Sequence, residues 1–424
     1  MKQTVISMLL AGIVSLPAIA QSAFEEINAN PALSAGKYYA YQAPEAKLTP
    51  VPERYTPFYI STFARHGSRY LTKKKKYDSP LSILKEAARQ HKLTTDGQRA
   101  LNIIEKLAEE AAGRYGELTP KGAQQHKDLI RRMYTFTDGA HIDARSTYKT
   151  RAFLSMAAAC VELKGLNPRL VITTDASEHD AYYIKYKNPT YEEAHLANAD
   201  SVYQAADSVY IHPERLMKQL FINADIVKDP KQLMADLFEL HGISQSSYHQ
   251  EDLSFLFTSQ ERYDLWQRNN FEWYYEKGAS PLSGSCMYKL ERNLLRNFIE
   301  TADTVISSKK NCVTLRYGHD TNLAPLAALM GIDKLSFATA DWQKIADTYR
   351  TYRIIPMCGN IQLIFFHKPD NDDILVKLLL NEREVTLPLP TDTAPYYHWK
   401  DVRNYWQKIV DAIELPAVDS NTTD

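Results

Sequence analysis

Residues Phe63 to Tyr70 read FARHGSRY and place Arg65, His66 and Arg69 directly after an apolar, β-prone run, Pro57 to Phe63. Arginine presents a planar fork of donors that matches phosphate oxygens, and a neutral imidazole is a nucleophile near neutral pH. A strand ending in Phe63 delivers these side chains to the loop at its carboxyl end, where open α/β sheets bind their ligands. The same residues would also suit a solvated surface loop, so a second feature has to decide. Far downstream, Cys312 to Leu323 read CVTLRYGHDTNL, another β-prone stretch followed by a glycine and then His319-Asp320. A histidine beside an aspartate supplies one group to stabilise transferring phosphate oxygens and another to shuttle a proton. Asp320 alone could simply cap the helix expected over Asn322 to Met330. Two such loops facing each other at strand ends point to phosphoryl transfer.

These residues resemble the histidine acid phosphatases, the large branch of the histidine phosphatase superfamily that includes phytases and multiple inositol polyphosphate phosphatases. The family pattern is RHGxRxP near the start and HD or HAE late; this chain has RHGSRYL and GHDTNL, with Leu71 in place of the usual proline. Arg145 to Ala158, RSTYKTRAFLSMAA, is similar to the family segment that carries a third phosphate-binding arginine at a helix start. The resemblance puts that arginine at Arg151, with Arg145 as the alternate. GELTPKG at Gly116 to Gly122 resembles a further helix start of the family, with Thr119 as N-cap and Pro120 at the first helical position. IIPMCGNIQLIFF at Ile354 to Phe366 looks most like the inositol polyphosphate phosphatases, whereas His319-Asp320-Thr321-Asn322 looks like the bacterial phytases and acid phosphatases.

The resemblance implies a two-step phosphomonoesterase that uses no metal or other cofactor. His66 would attack phosphorus and Asp320 would protonate the leaving alkoxide, then activate the water that hydrolyses the phosphohistidine. Arg65, Arg69, Arg151 and His319 would surround the phosphate oxygens. Asp320 acts as an acid only when protonated, so the expected pH optimum is acidic. His66 needs its other ring nitrogen fixed by an acceptor, expected to be a nearby backbone carbonyl, and Gly67 fits a close approach of backbone to ring.

Composition narrows the partners. Lys and Arg number 50 against 51 acidic residues, a formal net charge of -1, so a polyanion site has to be local and the chain has no nucleic-acid-binding character overall. Lys2 and the apolar run Val5 to Ala20, ending in Ala18-Ile19-Ala20, predict a secretory signal over residues 1–20, and hence export to the periplasm or cell surface if the source is bacterial. No later stretch is apolar enough to span a bilayer. Cys160, Cys286, Cys312 and Cys358 have no metal-ligand spacing; they could pair in an exported chain or stand as buried thiols.

The elements that must position the site follow from periodicity. A strand is predicted over Tyr59 to Phe63, helices over Pro80 to His91, Asp96 to Ala112, Pro120 to Phe136 and Ala152 to Leu163, and a strand over Leu170 to Thr174. Late strands are expected at Asn360 to Phe366 and Ile374 to Leu380, across a turn at Asp370 to Asp373. The fold class is α/β: a mostly parallel sheet covered by helices, a phosphoglycerate-mutase-like core by resemblance, with an inserted α-helical cap. The expected division is core over 21–176, cap over 177–281 and core again over 282–424. Gln21 to Ala35 and Ala417 to Asp424 read as loose ends. The run Lys73 to Lys76, close behind the nucleophile loop, is a candidate grip for additional phosphates or a solvated face. The 27 tyrosines are read as packing.

The favoured substrate is a small-molecule phosphate ester, phytate or another inositol polyphosphate, with a broad acid or sugar phosphatase as the alternative. A phosphoglycerate-mutase-like transferase is disfavoured, because that branch resembles RHG followed by Glu, whereas Ser68 and Arg69 follow here. The alternative of another class is a catalytically silent phosphate-ester-binding surface protein. Oligomeric state is left open.

Overall fold

Alternation along Thr56–Arg65 makes it a two-faced strand, β1: Tyr59 and Phe63 enter one apolar core while Ile60 and Ala64 enter another. The computed structural model describes residues 21–136, 141–248, 252–369 and 371–416. The segment expected to direct export, Asp370 of the predicted turn and the tail from Ala417 lie outside the described residues. The other strands are β2 (His141–Ser146), β3 (Ile172–Asp175), β4 (Cys312–Gly318), β5 (Asn360–Lys368), β6 (Asn371–Leu380), β7 (Arg383–Glu384) and β8 (Tyr396–His398). They form one mixed sheet in the order β3-β2-β4-β1-β5-β6-β7, with β8 on β6.

The parallel part of the sheet is β3-β2-β4-β1, linked by helical crossovers. β5 is antiparallel to β1, and β6 is antiparallel to β5, since the short connection between β5 and β6 permits only a hairpin. One face is covered by Arg292–Ser308, Asp320–Leu329 and Trp399–Ala412, the other by Pro120–Met133 and Thr150–Leu166. A third apolar cluster has no sheet residue: it joins Lys75–Arg89, Thr95–Ala111 and Pro230–Ser244 through Leu84, Ile104, Leu237 and Trp266. Among the described residues, 177–281 holds helices and no strand; its apolar side chains divide between this cluster and the core of the first face.

Two expectations are corrected. Gln21 to Ala35 is not loose: Ser22 and Glu25 form a reciprocal capping box on the helix Ala23–Ala29. Buried Glu26 then accepts the Tyr352 hydroxyl at 2.6 Å and pairs with Arg350 at 3.0 Å and with Arg353. The helix expected from Pro80 begins earlier, at Lys75, because buried Tyr77 anchors its first turn and takes the N–H of Leu71 on its hydroxyl at 2.9 Å. That bond also accounts for Leu71, since proline at this position would have no N–H to give. All four cysteines are free thiols.

Candidate active site

Strand register assembles the site. Arg65 at the end of β1 lies opposite Gly318 at the end of β4, so His66 and His319 leave the sheet side by side, with ring centroids 5.6 Å apart. The His66 N–H donates to the Gly318 carbonyl at 3.0 Å, and the Arg65 N–H to Gly359 at the entrance of β5 at 2.8 Å. β2 joins on the far side of β4, where the Thr147 N–H donates to the Tyr317 carbonyl and the Thr147 hydroxyl lies 3.1 Å from His319 Nε2. Loops from three strands therefore meet at one carboxyl edge, as the two motifs required.

His66 is buried, with Nδ1 2.9 Å from the Gly67 carbonyl. A carbonyl only accepts, so Nδ1 carries the proton and Nε2 the lone pair. Burial, then Arg65, Arg151, Arg69 and His319, hold the His66 pKa well below that of a free histidine. The ring is thus neutral and nucleophilic even in acid.

The peptide behind it is fixed by groups the sequence did not single out: the Gly67 N–H donates to Ser155 Oγ at 3.1 Å and the Ser68 N–H to Gln125 Oε1 at 2.8 Å. The close approach that Gly67 serves is to Gly122, not to the imidazole. A Cβ on Gly67 would sit 2.3 Å from the Gly122 carbonyl oxygen, and one on Gly122 2.2 Å from that of Ser68. Thr119 caps this helix as expected, accepting the Gly122 N–H at 3.3 Å. Gly122→Ala is expected to destabilise the fold by about 1–3 kcal/mol, because backbone on backbone cannot yield as a side chain can. Thermal denaturation checks this, and an unchanged Tm would show that the two segments separate freely.

Three arginines converge on the edge. Arg65 is fully buried and pairs with Asp320 through Nη2 at 2.7 Å, while Nη1 donates to the Lys37 and Ile355 carbonyls. Arg69 donates to the Tyr70 carbonyl at 2.8 Å and lies over the Tyr38 ring at 5.6 Å. Arg151, in the first turn of Thr150–Leu166, lines one cavity with His319 and Asp320. On each arginine Nε is buried without a partner, so each retains a donor. Arg145 remains within β2, engaged by Asp143 at 2.9 Å, Asp175 at 3.2 Å and Asp180 at 3.8 Å. The structure thus brings Arg151 to the site and commits Arg145 elsewhere. Arg151→Ala is expected to cost about a hundredfold or more in kcat/KM, and Arg145→Ala less than about threefold, the modest effect of a partly exposed ion pair on the far side of a strand. Equal losses in phosphate-release assays would reverse that assignment.

Asp320 opens the helix Asp320–Leu329, with His319, rather than Asp320, at the N-cap. Burial raises its pKa, but Arg65, then Arg69, Lys37 and His319, outweigh burial and leave it lowered to about 2. His319 is itself lowered to about 3, by burial and then by Arg151.

Sequence reasoning missed the lysines. A cavity of about 330 Å³ beside His319 and Asp320 is lined by Lys149, Lys185, Lys187 and Lys277 as well as Arg151. Only Lys149 had a local signal, its closeness to Arg151; Lys185 and Lys187 arrive together from the loop after Ala181–Ile184, and Lys277 from the end of Ser259–Lys277. The run Lys73 to Lys76 is absent from this cavity: Lys74 pairs with Asp78 at 2.9 Å, and Lys76 with Glu239, which also accepts the Tyr38 hydroxyl. Among the described residues, no group of three or more His, Cys, Asp or Glu is placed to hold a metal ion, and no helix is long and apolar enough to cross a membrane.

A helix-covered mixed sheet with paired histidines and clustered arginines at the carboxyl edge of its parallel strands is the architecture of a histidine phosphatase fold. The chain belongs to the histidine phosphatase superfamily (branch 2), which it matches over residues 60–381. No relative is found among curated protein sequences. Among solved structures it is similar to the Bifidobacterium longum multiple inositol polyphosphate phosphatase in complex with inositol hexasulfate, with a TM-score of 0.72 and 19% identity over 88% of this chain and 97% of that one. It is also similar to the phytase from D. castellii, with a TM-score of 0.67 and 14% identity over 90% and 86%. At these identities the likeness is one of fold.

Proposed function

We propose that the chain is a phosphoric monoester hydrolase acting through a phosphohistidine on His66, with inositol polyphosphates as its favoured substrates. The observation that carries the reading is His66 itself: a neutral ring held by Gly67 through Nδ1, with its Nε2 lone pair presented among arginines that keep unused donors. In the first step His66 Nε2 forms a bond to phosphorus, the bond from phosphorus to the ester oxygen breaks, and Asp320 gives that oxygen its proton. In the second, water attacks phosphorus, the P–N bond breaks, and Asp320 takes the water's proton. Arg65, Arg69, Arg151 and His319 stabilise the equatorial oxygens throughout. Lys149, Lys185 and Lys187 beside Arg151 favour a substrate carrying more than one phosphate, because they add charge next to the reacting position in a protein that is nearly neutral overall, whereas Lys277 is paired with Glu192 at 3.8 Å in the same cavity.

Phosphate release from phytate, a sugar phosphate and an aryl phosphate, at acidic and neutral pH, tests this reading. Phytate is expected to give the highest kcat/KM, and the lead is expected to shrink as salt screens the lysines. Equal turnover of all three would indicate a broad acid phosphatase, and no turnover would favour a binding protein. Export rests on residues 1–20; the N-terminal sequence of the mature protein, expected to begin at Gln21, tests it.

A further inference from the structure

The cavity beside the catalytic edge contains one feature that its lysines do not explain. Glu291 and Asn322, both buried, line it together with His319 and Asp320. Asn322 Nδ2 donates to Glu291 Oε1 at 3.0 Å, and the remaining oxygens, Glu291 Oε2 and Asn322 Oδ1, are buried without any hydrogen-bond partner. Asn322 is tied to the reacting edge, because its own N–H donates to the His319 carbonyl at 3.2 Å. An unmet buried acceptor is costly, so such a pair is expected to be completed by a donor from outside the chain.

Phosphate is the wrong group to complete it. A phosphate dianion offers only acceptors, and a monoanion, which keeps a single P–OH donor, still brings its negative charge against an ionised Glu291 and its remaining acceptor oxygens against the unmet Asn322 Oδ1. A hydroxyl both donates and accepts. It satisfies the pair with Glu291 ionised or neutral and with the Asn322 amide turned either way, since at least one acceptor is left over in every arrangement. Burial pushes the Glu291 carboxyl up to about 8, opposed by the Asn322 bond and by Lys277, and assisted by Glu192. The neutral form is thus accessible in acid, and the hydroxyl match survives it.

We propose that Glu291 and Asn322 form a hydroxyl-recognition site, which selects phosphate esters bearing a free hydroxyl near the phosphate under attack. The assignment rests on the hydrolase reading above and deepens it: the lysines select charge, and this pair selects a position that is not phosphorylated. Fully phosphorylated inositol would reach the edge with this subsite unmet, whereas a partly dephosphorylated inositol, presenting a hydroxyl there, would satisfy it.

The test is kcat/KM for phytate beside a set of inositol pentakisphosphates, each with its single free hydroxyl at a different position, using wild type, Glu291→Gln and Glu291→Leu. At least one isomer is expected to exceed phytate by about tenfold in wild type, the effect of one well-made hydrogen bond. Glu291→Gln, which keeps an acceptor and the side-chain size, is expected to preserve most of that preference. Glu291→Leu is expected to abolish it by lowering kcat/KM for the preferred isomer to that for phytate, with thermal denaturation showing that the variant is folded. If no isomer is preferred, or if Glu291→Leu lowers phytate and the preferred isomer equally, the assignment is overturned while the hydrolase reading stands. If the wild type releases phosphate from none of these esters or from the aryl phosphate, the hydrolase reading itself is overturned.

Discussion

Replacing His66 by alanine is expected to lower kcat by roughly a millionfold, the scale of loss when an enzyme that works through a covalent intermediate is deprived of its nucleophile. The size follows from how little else in the site can take over. His319 is the nearest other imidazole, but its Nε2 is held at 3.1 Å by the Thr147 hydroxyl, and its ring makes an edge contact with His66 and does not share its place. The arginines of the site do not depend on His66: Arg65 is fixed by Asp320 and two carbonyls, and Arg69 by the Tyr70 carbonyl. Phosphate should therefore bind His66→Ala within a few-fold of wild type, measured by calorimetry, while turnover is lost. In wild type, rapid quenching during turnover should trap an acid-labile phosphate on His66. Retention of a percent or more of activity by the variant would mean that water attacks directly, with His66 only an oxygen ligand.

The parts of the site that were legible in the sequence are those where chemistry is contiguous along the chain. Arg65, His66 and Arg69, and likewise His319 and Asp320, follow β-prone runs directly. A strand end fixes where such residues emerge, so each motif carried its own geometry. The third arginine was harder, because RSTYKTR crosses from β2 into a helix. Which side of that boundary Arg145 occupies decides whether it meets phosphate or three aspartates, and one residue of strand settles it. The lysine cavity was hidden for the opposite reason. Lys149, the Lys185-Tyr186-Lys187 loop and Lys277 come from three distant stretches that only tertiary packing brings together, whereas the conspicuous run Lys73 to Lys76 lies outside the cavity, with Lys74 and Lys76 engaged by Asp78 and Glu239. Local density of charge is a poor guide to convergence. The N-terminal segment could have been read: Ser22 and Glu25 have capping-box spacing, and the chain they start delivers Lys37 and Tyr38 to Arg65 and Arg69.

Asp320→Asn is expected to cost about a hundredfold to ten-thousandfold in kcat on an alkyl phosphate, the range for losing a positioned general acid. It should cost far less in the first step on an aryl phosphate, whose leaving group departs without a proton. The same variant lacks the base of the second step, so the phosphohistidine should accumulate and an aryl substrate should show a burst of phenol followed by slow turnover. Asp320 is also the reason to expect an unusual pH profile. With its pKa lowered to about 2 in the empty site, it enters the reaction ionised and paired with Arg65 over most of the acidic range. The proton given to the leaving oxygen must then come in with the substrate: ionised Asp320 with a phosphate monoanion holds the same single proton as neutral Asp320 with a dianion. Once bound, phosphate competes for Arg65 and Arg69 and adds negative charge, so both effects raise the Asp320 pKa and move the proton onto it. The alkaline limb of kcat/KM should therefore follow the second ionisation of the substrate, near pH ~6 for an ordinary phosphate ester, and not the aspartate; His66, held neutral, contributes no limb there. An ester whose second phosphate pKa is lowered by electron-withdrawing fluorine should shift that limb down by the same amount. A limb that stays in place across such esters would instead assign it to a group of the protein, and would mean that the proton resides on the enzyme before the substrate arrives.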